Sequence, residues 1–179
     1  MAVQGNISFI TKDIQNRSIL YNMSEFSHLN EQGLAAMVDI SDKKVSQRSA
    51  MARSIVVLPP EVLDKLMDGD IQTKKGSVFQ TAIIAGIMAA KKTGELIPLC
   101  HPLGLDNCKI DIHVSQHELV IDCTATITSK TGVEMEALVG ASIAALTVYD
   151  MCKALSHDII IKETKLMEKT GGRHDFKRT

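Results

Sequence analysis

An α+β fold, an antiparallel sheet with its helices packed on one face, is what this 179-residue sequence predicts from three features. Two stretches of period-two alternation, 108–115 and 119–128, flank a polar turn and read as a hairpin with one buried face. A long apolar run, 133–155, has the length of a core helix. Strand-like segments stand at both ends, over 45–58 and 159–167, with helical patterns between them and the hairpin.

Residues 1–22 are polar and weakly patterned and are expected to lie outside the fold, leaving 23–179 as one domain. The first strand, 45–58, is rich in Val, Ile, Ser and Ala, with Arg48 and Arg53 its charged residues. Pro59 and Pro60 open a short helix over 61–68 that Gly69 ends. A second helix is expected over 77–93, with Val78, Ile83, Ile87 and Ala90 near one side, Lys74, Lys75 and Gly76 at its entrance and Gly94 as its stop. Pro98 and Pro102 are expected to hold 96–103 extended, as a rigid loop carrying Cys100 and His101. In the hairpin, Cys108, Ile110, Ile112 and Val114 share one face, as do Leu119, Ile121, Cys123, Ala125 and Ile127. With paired helices collapsed, the order is β-α-β-β-α-β, the split βαβ or ferredoxin-like arrangement.

Composition narrows the function classes. A hydrophobic content of 45% with 23% charged residues is that of a globular domain. A net charge of -1 and only six aromatic residues, four Phe and two Tyr, argue against nucleic acid as a partner, since neither phosphates nor bases would find a platform. Four cysteines, Cys100, Cys108, Cys123 and Cys152, lack any C-x-x-C spacing, and no secretory signal precedes them; reduced thiols in a cytoplasmic protein are expected. The longest apolar run is broken by Asp150 and Lys153 and contains Gly140 and Ser142, so no membrane span is expected.

That run also carries the most informative charges. Between Glu136 and Asp150 no residue is charged, so the helix has no polar face for water and must be buried on all sides or by a partner subunit. Asp150 and Lys153, three apart, share a side of it, where partial burial would let each perturb the other's pKa, as a proton-transfer pair or as a structural ion pair. Lys75, beside Gly76 at a helix N-terminus, suits an anion or is simply solvated. His101, its backbone fixed by prolines, suits phosphate donation or proton transfer. Cys100 and His101 have only His157 and Cys152 as loose companions for a metal, so no metal site is assigned. Arg48 could clamp an oxygen pair or stand as a surface charge. The stretch 169–173, Lys-Thr-Gly-Gly-Arg, reads as a flexible basic flap.

Four motifs together resemble one family: Lys75-Gly76-x-Val78-Phe79-x-Thr81-Ala82-x-Ile84-Ala85-Gly86-Ile87, Leu96-Ile97-Pro98-Leu99-Cys100-His101-Pro102-Leu103, Thr131-Gly132-Val133-Glu134-Met135-Glu136-Ala137-Leu138 and Tyr149-Asp150-Met151-Cys152-Lys153. In this order they resemble the MoaC family, the cyclic pyranopterin monophosphate synthases of molybdenum cofactor biosynthesis, from about Met23 to the C-terminus. The resemblance implies a lyase that rearranges 3′,8-cyclo-7,8-dihydro-GTP to cyclic pyranopterin monophosphate with loss of pyrophosphate. It implies no redox cofactor, leaves Mg²⁺ as a companion of the triphosphate, and implies a homohexamer, a trimer of dimers, with sites between subunits. Asp150 would be the catalytic acid or base, assisted by Lys75 and Lys153. Leu99, Cys100, His101, Met135 and Glu136 would line the substrate site, with Glu134 and Arg48 close by and Lys169 on a flexible loop. The tail from Gly171 to Phe176 is shorter than the family's usual glycine- and serine-rich ending, and residues 1–22 have no counterpart in the pattern. The alternative is a ferredoxin-like regulatory module that binds a metabolite without catalysis, a role that would not need Asp150, Lys153, Lys75 and His101 together.

Overall fold

Residues 46–57 form the central strand because both of their edges are paired, in a computed structural model that describes residues 34–179. The expected boundary between residues 22 and 23 lies outside the described residues. All elements named here belong to the unit 39–179; the other unit, 1–38, is almost wholly outside the described residues. The large sheet comprises β1 (Ser46–Val57), β5 (Asn107–Ser115), β6 (Glu118–Ser129), β7 (Ile160–Thr170) and β8 (Phe176–Lys177), ordered β5-β6-β1-β7-β8 with every pair antiparallel. The four long strands therefore follow the order second, third, first, fourth, and the expected ferredoxin-like α+β fold is what the chain adopts.

Four helices are described: α1 (Pro60–Leu63), α2 (Val78–Ala90), α3 (Thr93–Leu96) and α4 (Glu134–Cys152). The two long ones, α2 and α4, cross between strands, pack on each other and cover one face of the sheet. The core lies between these layers. Ala50, Ala52 and Val56 of β1 pair with Ala125, Cys123 and Leu119 of β6, and all six are buried with Ala137, Ala141, Ala144 and Val148 of α4. The approach is close enough to need glycine. A Cβ on Gly140 would sit 2.6 Å from Cys123 Sγ, and one on Gly86 would sit 2.7 Å from the Gly140 carbonyl oxygen.

Several sequence expectations need correction. The helix expected over 61–68 ends at Leu63, and β2 (Leu66–Met67), β3 (Asp70–Thr73) and β4 (Gly76–Ser77) then make a small three-stranded antiparallel sheet. Strands of two to four residues are too short to show a period. Gly94 is not the stop of α2, which ends at Ala90; it lies in α3, where a Cβ would be 2.9 Å from Pro102 Cα, so its smallness admits the returning loop. That loop is not wholly extended. The Cys100 N–H donates to the Ile97 carbonyl at 3.0 Å, closing a β-turn with Pro98 at its second position, where its fixed φ belongs. The final strand runs on to Thr170.

The long helix is buried on one side only. Its outward Leu146, with Ile84 and Met88 of α2, is exposed among the described residues. By length and composition α4 is long and apolar enough to cross a membrane, and half of that apolar window is buried inside this fold.

Candidate active site

The expected site residues fall into two groups, one at each end of α4. The first is at the C-terminal end. Asp150 Oδ1 accepts from Lys153 Nζ at 2.7 Å, and Asp150 Oδ2 accepts from Lys75 Nζ at 3.4 Å. Lys153 is the C-cap residue of α4, one turn from Asp150 on the same side. Lys75 arrives from the turn between β3 and β4. Partial burial of this group is not observed: the side chains of Asp150, Lys153 and Lys75 are 55%, 50% and 62% exposed. The charges themselves set the chemistry. The Lys153 ammonium first, then that of Lys75, holds the Asp150 carboxyl below the usual carboxylate range, while Asp150 raises Lys153.

Lys75 is also not at a free helix N-terminus. Ser77 is the N-cap of α2 and its Oγ accepts from the Gln80 N–H at 3.1 Å, while the Phe79 N–H donates to Asp70 Oδ1 at 2.9 Å. The anion at this helix end is therefore the chain's own Asp70, a residue the sequence reading missed because it lies seven positions ahead of the cap.

The second group gathers at the N-terminal end of α4. Glu134 and Glu136 stand in its first turn, the favourable end of the dipole for acids. Glu134 Oε1 pairs with Lys169 Nζ at 3.0 Å. Lys169 is in β7, not on a flexible loop, and an irregularity in the β1–β7 pairing decides its direction. Leu166 pairs with Ala52 and Lys169 with Ala50, so one extra residue between them puts both on the helix-facing side. Period-two reasoning assigns them opposite faces.

The stretch expected to be a basic flap is a tied turn. The Ser46 hydroxyl donates to the Gly171 carbonyl at 2.9 Å, the Gly171 N–H donates to Asp175 Oδ1 at 3.0 Å, and β8 then pairs back on β7. Arg48 lies under it. Its Nη1 would be 3.3 Å from a Cβ on Gly172, and its Nε is buried with no partner among the described residues. A buried guanidinium N–H without an acceptor is a donor poised for an oxygen ligand.

Glu136 is 3% exposed, and that burial pushes its carboxyl up, with the Glu134 charge adding to it. Burial also raises the Cys100 thiol, to which the Glu136 charge contributes, so the 97–100 turn lies close to the start of α4. Leu99, His101 and Met135 are half-buried in these same segments. The Asp39 carboxyl is held down chiefly by hydrogen bonds from Ser41, with the charges of Lys130 and His101 adding. Beside Glu136 opens a cleft of about 240 Å³ lined by Lys91, Lys92, Thr93, Gly94 and Pro102, among others. The sequence reading did not single out Lys91 and Lys92, which carry no spacing signal. Cys152, buried at the opposite end of α4 with its thiol pushed up to about 11, belongs to neither group.

Residues 37–172 match the MoaC family. The chain is 52% identical over 154 residues, 86% of its length and 93% of its relative's, to a cyclic pyranopterin monophosphate synthase of Xanthomonas campestris pv. campestris. It is 52% identical over 159 residues to a molybdenum cofactor biosynthesis bifunctional protein of Synechocystis and 50% identical over 168 residues to molybdenum cofactor biosynthesis protein 1 of Dictyostelium discoideum. It spans 46% and 27% of those two longer proteins. A match over three quarters of its length, joined to half-identity with a relative it covers almost end to end, makes this chain a member of the MoaC family.

Proposed function

We propose that the chain is a cyclic pyranopterin monophosphate synthase, converting 3′,8-cyclo-7,8-dihydro-GTP to cyclic pyranopterin monophosphate and pyrophosphate. The observation that carries this reading is the Lys75–Asp150–Lys153 group on a MoaC-family fold. Opening a fused ring and closing a pterin requires groups that give and take protons, and a carboxylate between two ammoniums supplies both kinds. In the last step a sugar-derived hydroxyl attacks the α-phosphorus; the new P–O bond closes the cyclic phosphate and the bond to pyrophosphate breaks. Positioning and charge stabilisation dominate such a step. The unpartnered Arg48 Nε and the nearby Lys169 suit phosphate oxygens, as does His101. Leu99, Cys100, Met135, Glu134 and Glu136 complete the wall against the base. No redox cofactor enters this chemistry, and Mg²⁺ would come with the triphosphate as part of the substrate.

The active site is read as shared between subunits. Glu136 and Asp150 are fourteen positions apart, about 21 Å along α4, too far for one small substrate to join both groups within a chain. The exposed Ile84, Met88 and Leu146 give a second copy an apolar face to cover, and its arrival would bury the half-exposed Asp150 group. A trimer of dimers in the cytoplasm is the assembly proposed. Incubating the purified protein with 3′,8-cyclo-7,8-dihydro-GTP should yield cyclic pyranopterin monophosphate and pyrophosphate in equal amounts; substrate recovered unchanged would contradict the assignment.

A further inference from the structure

Lys75 sits at the tip of an exposed turn, its side chain 62% exposed, yet its ammonium reaches Asp150. Local hydrogen bonds fix its backbone. Thr73 Oγ1 accepts from the Lys75 N–H and donates to the Gly76 carbonyl, both at 3.1 Å, across a turn whose Gly76 has φ +105°. The turn as a whole is anchored by one carboxylate at its base. Asp70 Oδ1 accepts from the Ile71 N–H at 2.6 Å and from the Phe79 N–H at 2.9 Å. Asp70 Oδ2 accepts from the Ser77 hydroxyl, which itself caps Gln80.

Asp70 and Ser77 are the first and last residues of the β3–β4 hairpin, so this carboxylate clamps both of its ends to the first turn of α2. Helix α2 packs on α4, which carries Asp150 and Lys153, and the Asp70 charge is felt by Cys152 at the end of α4. Ser77 satisfies one N–H at the start of α2 and Asp70 a second. The Asp70 carboxylate adds a fixed relation between the hairpin and the helix pair.

We propose that Asp70, acting with Thr73 through the β3–β4 turn, is a positioning residue that delivers the Lys75 ammonium to Asp150, an inference that rests on Lys75 belonging to the catalytic group. Neither Asp70 nor Thr73 touches the substrate in this account. Of the charged groups at Asp150, Lys153 comes from its own helix and Lys75 from the hairpin, so Thr73→Val, which changes no charge, reaches Asp150 through Lys75.

The test is a double-mutant cycle on the full-length protein, with the Asp150 carboxyl titrated by carbon NMR. Asp70→Ala and Thr73→Val should each move the Asp150 midpoint upward, in the direction of Lys75→Ala, and lower kcat about ten- to a hundredfold. Asp70→Ala combined with Lys75→Ala should be no slower than Lys75→Ala alone. An Asp150 midpoint equal to wild type in both hairpin variants, or rate losses that multiply in the double variant, would overturn the proposal and leave Asp70 a stabilising cap. Should Asp70→Ala fail to fold, Thr73→Val decides by the same two readouts. If Lys75→Ala keeps full turnover while the Asp150 midpoint still moves in the hairpin variants, the catalytic reading of Lys75 fails and the positioning role stands.

Discussion

Lys75 and Asp150, 75 positions apart in the chain, meet at 3.4 Å because a small hairpin ahead of α2 and the last turn of α4 end on the same side of the fold. Lys153 completes the group from within α4. All three side chains are half-exposed or more, so their contacts contribute little to folding. Lys75→Ala, Asp150→Ala and Lys153→Ala should each lower kcat by at least about a hundredfold while leaving the melting temperature near that of wild type. A variant that keeps near-normal turnover while folded, or that unfolds, removes its residue from the catalytic group.

The His101 loop gives a separate handle. His101→Ala should weaken binding of pyrophosphate and GTP, with the thermal stability of the unliganded protein almost unchanged, because one half-buried loop side chain adds little to a core. Calorimetric titration with pyrophosphate reads this directly. Equal affinity in variant and wild type would make the loop structural and place the anion elsewhere.

Glu136 should leave a mark on the pH dependence of stability. Burial raises its carboxyl above the ordinary 4.5, so the folded state holds this proton more tightly than the unfolded chain does. The stability linked to that proton is fully present below the unfolded value and is lost as pH rises through the folded one. Glu136→Gln cannot lose it. The variant should therefore gain on wild type in melting temperature between pH 4 and pH 8; a constant difference across that range would mean that Glu136 titrates normally.

Gly140 is one of the positions where the helix layer meets the sheet closely. A methyl group there would fall 2.6 Å from Cys123 Sγ. Gly140→Ala should cost about 1–3 kcal/mol in chemical denaturation, the usual penalty for overpacking a filled core. An unchanged denaturation midpoint would show that α4 moves away at no cost.

Much of this fold was legible in the sequence because its signals are periodic. The alternation in 108–115 and 119–128 gave the hairpin its face, and the apolar run gave α4. What escaped has no period. The sheet of β2, β3 and β4 is built from strands of two to four residues, and the turn at Pro98 depends on a hydrogen bond between Ile97 and Cys100. Most residues of the candidate site stand in the four motifs, Arg48, Lys169, Lys91 and Lys92 being outside them, but the motifs do not show their arrangement. Lys169 turns toward Glu134 only because the strand pairing slips by one residue, and Asp70 reaches the α2 cap by tertiary contact. The exposure of Asp150 and Lys153 was invisible for a different reason: composition says that a helix is apolar, not which of its sides a single chain covers.

The central claim is that each active site joins the Lys75–Asp150–Lys153 group of one subunit to the Glu136–His101 region of another, and mixing two variants, assayed at a substrate concentration at which neither turns over alone, tests it most directly. Asp150→Ala and His101→Ala proteins are purified separately, dissociated, and reassociated in equal amounts, with subunit exchange verified by mass spectrometry. Shared sites in a twofold dimer predict that half of the dimers are mixed and that one of the two sites in each is intact, so about a quarter of wild-type turnover should return. Verified exchange with no recovered turnover would place both groups in the same subunit's site and contradict the account.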